Sequence, residues 1–162
     1  MTDSEIGGMK IKDLFEVDPI LTGRTEIETI NKLNIGLVWS CGGSNFHGGS
    51  PDTDEITYTT NAANIRDDTS SHNISGSVNL PNGATVTGVV VYGDTAADTW
   101  ILHRKVINSA TTDSTMATAA IGTEDTSISN ALIDNSTYAY WFFIENVEIT
   151  ALIYGARIIY TI

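Results

Sequence analysis

The stretch NISGSVNLPNGATVTGVVVY, residues 73–92, decides the fold class. Apolar and small polar residues alternate from Ile74 to Leu80, which is the period of a half-buried β-strand. Pro81-Asn82-Gly83 is a turn signature, and the valine-rich run that follows predicts a second strand over Ala84–Tyr92. Strand, turn and strand in 20 residues indicate an all-β domain.

The same pattern of short strands and turn signals continues on both sides of this stretch, from residue 37 to residue 162. Glycine-rich or polar loops are predicted at Cys41–Asp54 and Asn61–Ser71. About eight strands at regular spacing predict an antiparallel sandwich with jelly-roll-like character. The predicted strands are Leu37–Ser40, Glu55–Thr60, Asn73–Leu80, Ala84–Tyr92, Trp100–Ile107, Thr115–Ile121, Tyr138–Asn146 and a C-terminal strand from Ala151 to Ile162 bent at Gly155, with a short edge at Thr126–Ile128.

Two of these strands carry extra information. Tyr138–Asn146 has aromatic residues at alternate and intervening positions, which predicts a strand covered on both faces. The final strand ends on Ile162 without a polar tail, so we expect it in the middle of a sheet or at a subunit axis, because a free apolar edge invites aggregation.

Composition supports this fold and excludes some functions. The chain has 162 residues, with 8 Lys+Arg against 20 Asp+Glu, a net charge of −12. Such a charge is repelled by phosphate, so we expect no nucleic-acid partner. The single cysteine rules out an internal disulfide framework. We expect no signal peptide, since Met1–Lys10 has no basic stretch followed by an apolar core. We also expect no membrane span, since the nearly apolar run Tyr138–Ile144 is far shorter than about 20 residues.

Residues 1–36 differ from the rest and are predicted to be an N-terminal docking arm, with the sandwich over residues 37–162. Short helices are predicted at Lys10–Val17 and Thr25–Leu33, where Thr25 and Glu28 form a capping box. Each is too short to be stable alone and needs another surface, although edge strands in the same domain are an alternative. The docking candidates are the apolar residues Ile11, Leu14, Phe15, Ile27, Ile30 and Leu33.

Three motifs carry a resemblance to known proteins: LPNGATV at Leu80–Val86, IDNSTYAY at Ile133–Tyr140 and GARIIYT at Gly155–Thr161. The chain resembles a group of small, mostly uncharacterised all-β proteins of bacteria and phages. The resemblance covers about residues 55–162 and implies a jelly-roll-like sandwich, trimeric and without catalysis. Viral decoration proteins and fibre heads are an analogy at the level of the fold only.

No catalytic or metal site is predicted, and no cofactor. Cys41 with His47 could form a nucleophile pair, but a half-buried structural cysteine is the favoured interpretation. His47, His72 and His103 lack metal-ligand spacing. Calcium could occupy an acidic loop, which would be one of Asp52–Glu55, Asp67–Asp68, Asp94 with Asp98, or Glu124–Asp125. Solvated loops that favour solubility are the competing interpretation.

The leading hypothesis is therefore a non-enzymatic structural subunit of a larger assembly. It would be a capsid decoration, minor capsid or fibre-head subunit of a phage or virus, made in a host cytoplasm. We expect it to form a homotrimer and to dock on a capsid or other assembly protein of the virion through residues 1–36. Arg104, Arg157, Tyr160 and Ile162 are the oligomer-contact candidates, with both arginines expected to pair with loop carboxylates across the contact.

The alternative hypothesis is a carbohydrate-binding module of the same fold. Trp39, Trp100 and Trp141 could stack on sugar rings if they are exposed, and Tyr58 could join them. Acidic or asparagine side chains would then lie beside the exposed rings. Aromatic residues within strands are, however, more often part of the core. A cupin-like or hydrolytic enzyme is disfavoured, since only His103 lies on a clear strand.

Overall fold

A computed structural model describes residues 5–6, 9–10, 36–48, 56–60, 62–65, 72–110, 113–148 and 150–162. The chain divides into two units, Met1–Asn34 and Ile35–Ile162. In the first unit, β1 (Glu5–Ile6) and β2 (Met9–Lys10) form an antiparallel pair. The predicted helices, apart from Lys10, and all six docking candidates lie outside the described residues, so the arm stays a prediction.

The second unit is an antiparallel β-sandwich, which confirms the predicted fold class. Its strands are β3 (Leu37–Gly42), β4 (Phe46–Gly48), β5 (Ile56–Thr59), β6 (Ala62–Ile65), β7 (His72–Val78), β8 (Thr85–Gly93), β9 (Thr99–Val106), β10 (Asp113–Ala120), β11 (Tyr138–Val147) and β12 (Leu152–Thr161). One turn of 3-10 helix, Gly43–Asn45, joins β3 to β4. None of the helices in the described ranges is long and apolar enough to cross a membrane.

The strands form two sheets. The first has the order β10-β9-β11-β7-β4, so β11 is its central strand. In the second, β12 is central, with β8 on one side and β3 and β6 along the other, and β5 lies beyond β6. The C-terminal strand therefore lies in the middle of a sheet, as predicted. Its partners on both sides satisfy its backbone groups, which a free apolar edge could not do.

Two strands replace loops that the sequence predicts. β4 lies inside the predicted glycine-rich loop, and β6 lies inside the predicted polar loop. The predicted strand at Thr126–Ile128 is instead irregular chain that runs beside the free edge of β8, held by isolated bridges such as Val89 to Asp125. These short segments lack a strong apolar alternation, and their hydrogen-bond partners are remote in sequence.

The core between the sheets is built around Phe142, which is fully buried on β11. Its ring centroid lies 6.1 Å from that of Phe46 and 6.3 Å from those of Trp39 and Trp100. These rings come from three strands of the first sheet and from β3 of the second, so they join the two sheets. Burial of each large side chain stabilises the fold by about 1.5–3 kcal/mol.

Local motifs have the structural roles that their residues predict. Gly83 has φ of +84° in the turn after β7, and the Ala84 amide donates to the Pro81 carbonyl. The Asp134 carboxylate accepts from the Ser136 amide, which forms the predicted Asx turn before β11. Gly155 interrupts the register between β12 and β8, which confirms the predicted bulge.

Candidate ligand-binding site

The outer face of the first sheet carries exposed aromatic side chains. Along β11, Tyr140, Phe142 and Ile144 are buried in the sandwich, whereas the intervening Trp141 and Phe143 remain partly exposed. The prediction that both faces of this strand are covered is therefore wrong. An aromatic pair left at a sheet surface costs hydrophobic free energy, so it is the kind of feature that marks a binding site.

Trp141 is held in place by a histidine on the neighbouring strand. In the ladder, Trp141 pairs with His103 of β9 on one side and with Ser77 of β7 on the other. The indole and imidazole rings are stacked, with centroids 5.2 Å apart and an interplanar angle of 24°. One face of the indole is thus occupied, and the opposite face is directed towards β7.

A cleft of about 560 Å³ lies beside that opposite face. Trp141 and Phe143 form its aromatic wall, and the hydroxyl-bearing Ser75 and Ser77 of β7 lie across from them. Lys105, at the end of β9, also lines it. We call this space the Trp141 cleft. Its volume falls within the range of about 300–1,000 Å³ that small-molecule sites have.

His47 borders the Trp141 cleft from β4, the edge strand of the first sheet. The Tyr58 hydroxyl donates to the Phe46 carbonyl at 2.7 Å, and His47 Nδ1 lies 3.2 Å from the same hydroxyl. Because a phenol has only one proton to donate, His47 Nδ1 is the donor in the second bond. The imidazole is thereby oriented, and the neutral ring has Nε2 as its acceptor.

The charged side chains divide between the two sides of the aromatic pair. Lys105 lines the Trp141 cleft, and its ammonium group also donates to the Ala110 carbonyl at 3.2 Å. Two carboxylates, Asp113 and Glu145, line a separate hollow of about 330 Å³ on the other side of Trp141 and Phe143. The cleft therefore combines an apolar ring face with hydroxyl, imidazole and ammonium groups, which suits a polar ligand that also has an apolar face.

Of the aromatic residues that the sequence indicated for sugar stacking, Trp141 alone lies in this cleft. Trp100 is fully buried, and its indole nitrogen donates to the Ala120 carbonyl at 3.1 Å. Trp39 packs against the core cluster. Tyr58 is exposed, but it lies on β5, the edge strand of the second sheet, and reaches the cleft only through its contact with His47. Trp100 is therefore corrected to a core residue, and Trp39 to a partly buried residue that packs against the core.

Both arginines named as oligomer contacts have partners within the chain. Arg157 pairs with Glu124 at 3.1 Å on the outer face of the second sheet. The Arg104 guanidinium lies 4.3 Å above the Tyr138 ring centroid, and its Nε donates to Ser114. Arg157 thus has a carboxylate partner within its own chain, and its contribution to a contact between subunits stays a prediction.

The other two oligomer candidates lie at the end of the chain. Tyr160 is partly buried against the core, and Ile162 is exposed. A homotrimer and the contribution of these residues to it stay predictions.

The acidic loops are used for local structure where the structure describes them. The Asp98 carboxylate accepts from Thr95, that of Asp94 accepts from the Leu152 amide, and Glu124 pairs with Arg157. Asp52–Glu55 and Asp67–Asp68 lie outside the described residues. Within the described ranges, no group of three or more His, Cys, Asp or Glu side chains could hold a metal ion.

Cys41 lies on β3 and is partly buried against the core. Burial raises the pKa of its thiol, which works against the thiolate that a nucleophile requires.

Comparisons with known proteins add little about the ligand. No family model matches the sequence, and no curated protein matches it. One solved structure with a partly similar backbone is that of a low-affinity xylan-binding module, CBM86, from the gut symbiont Roseburia intestinalis. The identity is 10% and the TM-score 0.44, over 76% of this chain and 95% of that chain. Likeness at this level does not extend to what this chain binds.

Proposed function

We propose that this protein is a non-catalytic carbohydrate-binding module that holds its ligand in the Trp141 cleft. One observation carries the proposal: Trp141 is partly exposed on the central strand of the first sheet, stacked on His103 on one side and facing serine hydroxyls on the other. A rigid aromatic ring next to aligned polar groups is what the mixed chemistry of a sugar requires.

A sugar ring has a face of C–H bonds and a rim of hydroxyl groups. The C–H face packs on an aromatic ring, and the hydroxyls need donors and acceptors at the sides. Trp141 offers the ring, while Ser75, Ser77 and the oriented His47 offer hydroxyl and imidazole groups around it. Hydroxyl groups both donate and accept, so they match a ligand whose hydroxyls do the same.

The charge of the cleft is compatible with neutral and acidic glycans. Lys105 is the ammonium group in its lining, whereas the carboxylates Asp113 and Glu145 belong to the hollow on the far side of the aromatic pair. A nucleic acid would meet the overall charge of −12, which repels a polyanion. A single acidic sugar, by contrast, could place its carboxylate beside Lys105.

The hypothesis of a structural subunit depends on the N-terminal docking residues and on the oligomer-contact candidates, and neither set supports it. Its docking candidates lie outside the described residues, and Arg157 finds its carboxylate in its own chain. The partly exposed pair Trp141 and Phe143 on the first sheet has no role in that hypothesis. Carbohydrate binding, which uses that pair directly, is therefore the better-supported function.

The test is a glycan array followed by titration of bound glycans against the wild type and two variants. Trp141→Ala removes the stacking ring, and Tyr154→Ala removes an exposed tyrosine from β12 of the second sheet as a matched control. Loss of a central aromatic contact typically costs at least about 2 kcal/mol, or roughly 30-fold in affinity. We expect that loss for Trp141→Ala and unchanged affinity for Tyr154→Ala.

Two results would overturn the proposal. One is an array on which the wild type binds no glycan. The other is a Trp141→Ala variant that retains wild-type affinity while its circular dichroism shows an intact fold.

A further inference from the structure

The Trp141 cleft adjoins a second hollow at one end of the first sheet. Ser77 of β7 and Ala139 of β11 line both spaces, so the two are neighbours. The second hollow measures about 450 Å³ and is lined also by Asn79, Asn135 and Tyr138. We call it the Asn79 hollow.

The topology brings the polar residues of this hollow to one edge of the sheet. β7 ends at Val78, which pairs with Tyr140 near the start of β11, so the residues after β7 and before β11 are neighbours. Asn79 directly follows β7, and Asn135 belongs to the turn that precedes β11. A strand end beside a strand start is a consequence of antiparallel pairing.

The lining of the Asn79 hollow is held in place by hydrogen bonds. The Asn135 side chain donates to the Leu80 carbonyl at 2.9 Å, and its backbone amide donates to Asn82 at 2.8 Å. The Tyr140 hydroxyl accepts from the Asp134 amide at 2.8 Å. Such groups are already ordered before a ligand arrives, so binding costs less conformational entropy.

The two spaces lie one after the other along β11. Ala139, two residues before Trp141 on the same face, lines both spaces, whereas Tyr138, which packs against the core, borders the Asn79 hollow at the end of the strand. Three residues of strand, from Tyr138 to Trp141, span about 10 Å. The hollow across the aromatic pair is different, since His103 covers the Trp141 face on that side and Asp113 and Glu145 line it. The open direction from the cleft is therefore along the strand, towards Asn79.

We propose that the site binds a linear glycan lengthwise, with one sugar stacked on Trp141 and a neighbouring part of the chain hydrogen-bonded in the Asn79 hollow. This inference rests on the proposed function and specifies its ligand. A straight path along a strand fits an extended chain, such as one with β-1,4 equatorial linkages, better than a helical chain. The second contact adds to the first because the chain joins them.

The experiment uses soluble β-1,4-linked gluco-, xylo- and manno-oligosaccharides, from the monosaccharide to the hexasaccharide, titrated calorimetrically against the full chain. We expect affinity in at least one series to rise with length and then level off once the chain spans both spaces. The Asn79→Ala variant should bind the long members about 3- to 10-fold more weakly and the short members like the wild type. Because Asn79 is exposed, the variant should fold normally, and unchanged binding of the short oligosaccharides is the control that shows this.

Failure of this inference differs from failure of the proposed function. If Trp141-dependent binding is found but is independent of chain length, or is weakened equally at all lengths by Asn79→Ala, the lengthwise arrangement is wrong and the binding function stands. If the β-1,4 series do not bind while helical α-1,4-linked malto-oligosaccharides do, the extended-chain assignment is also overturned. If no glycan on the array binds, both proposals fail.

Discussion

Replacing His103 with alanine should weaken ligand binding without unfolding the sandwich. The His103 ring lies 5.2 Å from Trp141 in a stacked arrangement, and its Nδ1 is buried without a hydrogen bond among the described residues. The histidine therefore serves the site through its ring rather than through a hydrogen bond from Nδ1. Without that ring, Trp141 would gain rotamer freedom that binding must then remove.

Two independent estimates give the size of the effect. An aromatic pair contributes about 0.5–1.5 kcal/mol beyond the burial of its area. Immobilising a free side chain on binding costs about 0.5–1.5 kcal/mol. The two values describe the same loss of ordering for Trp141, so they are not added. A change of this size corresponds to a decrease of roughly 2- to 13-fold in affinity.

The assay pairs calorimetric titration with acrylamide quenching of tryptophan fluorescence. Trp100 is fully buried, and Trp39 is partly exposed but lies on the other sheet, whereas His103 stacks on Trp141. A difference in quenching between the wild type and a His103 variant therefore reports mainly on Trp141. His103→Ala should raise quenching and weaken binding, whereas His103→Phe should restore both because it keeps a ring in the same place. The reasoning is refuted if the alanine variant leaves both measurements unchanged, or if phenylalanine behaves like alanine.

Two further predictions concern the framework of the site. Gly155→Ala should lower the free energy of unfolding in urea by about 1–3 kcal/mol, because an added Cβ at φ of +153° would lie 2.2 Å from the Cys41 carbonyl oxygen. Gly122→Ala is the control, since Gly122 has φ of +81° but open space around it, and this variant should lose less stability. Equal losses for the two variants would contradict the steric explanation. Hydrogen bonds, of which the one from the Ser136 side chain is the largest contribution, lower the pKa of Asp134. The Asp134 carboxylate therefore stabilises the fold fully above its unfolded-state pKa of about 4, and this stabilisation is lost as the pH falls through the lower folded-state pKa. Unfolding midpoints should therefore fall more steeply below about pH 4 for the wild type than for Asp134→Asn, and parallel profiles would count against this role.

Much of the fold follows from local sequence. Alternation around Ile74 and the valine run before Tyr92 predict β7 and β8, and Pro81 with Gly83 predicts the turn between them. The apolar residues of the last strand predict that it is not a free edge, and β12 is central in its sheet. These features depend on a residue and its near neighbours, so a sequence reports them well.

The pairing of the strands does not follow in the same way. β7 and β8 are joined by a tight turn but lie in different sheets, since β7 pairs with β11 and β8 pairs with β12. β4 and β6 form only because β7 and β12 offer them hydrogen-bond partners distant in the sequence. Neither short strand has the apolar alternation that would predict it.

The candidate site also combines features that local sequence predicts with features that depend on strand pairing. Local sequence predicts that β11 is a strand with aromatic residues on both faces, because alternation is a property of the extended backbone. It does not predict which face is buried, since Tyr140 with Phe142 and Trp141 with Phe143 are equally apolar sets. The packing of the two sheets sets this, because one face of β11 meets the second sheet and the other borders a cleft. The Asn79 hollow likewise exists only because antiparallel pairing places the end of β7 beside the start of β11.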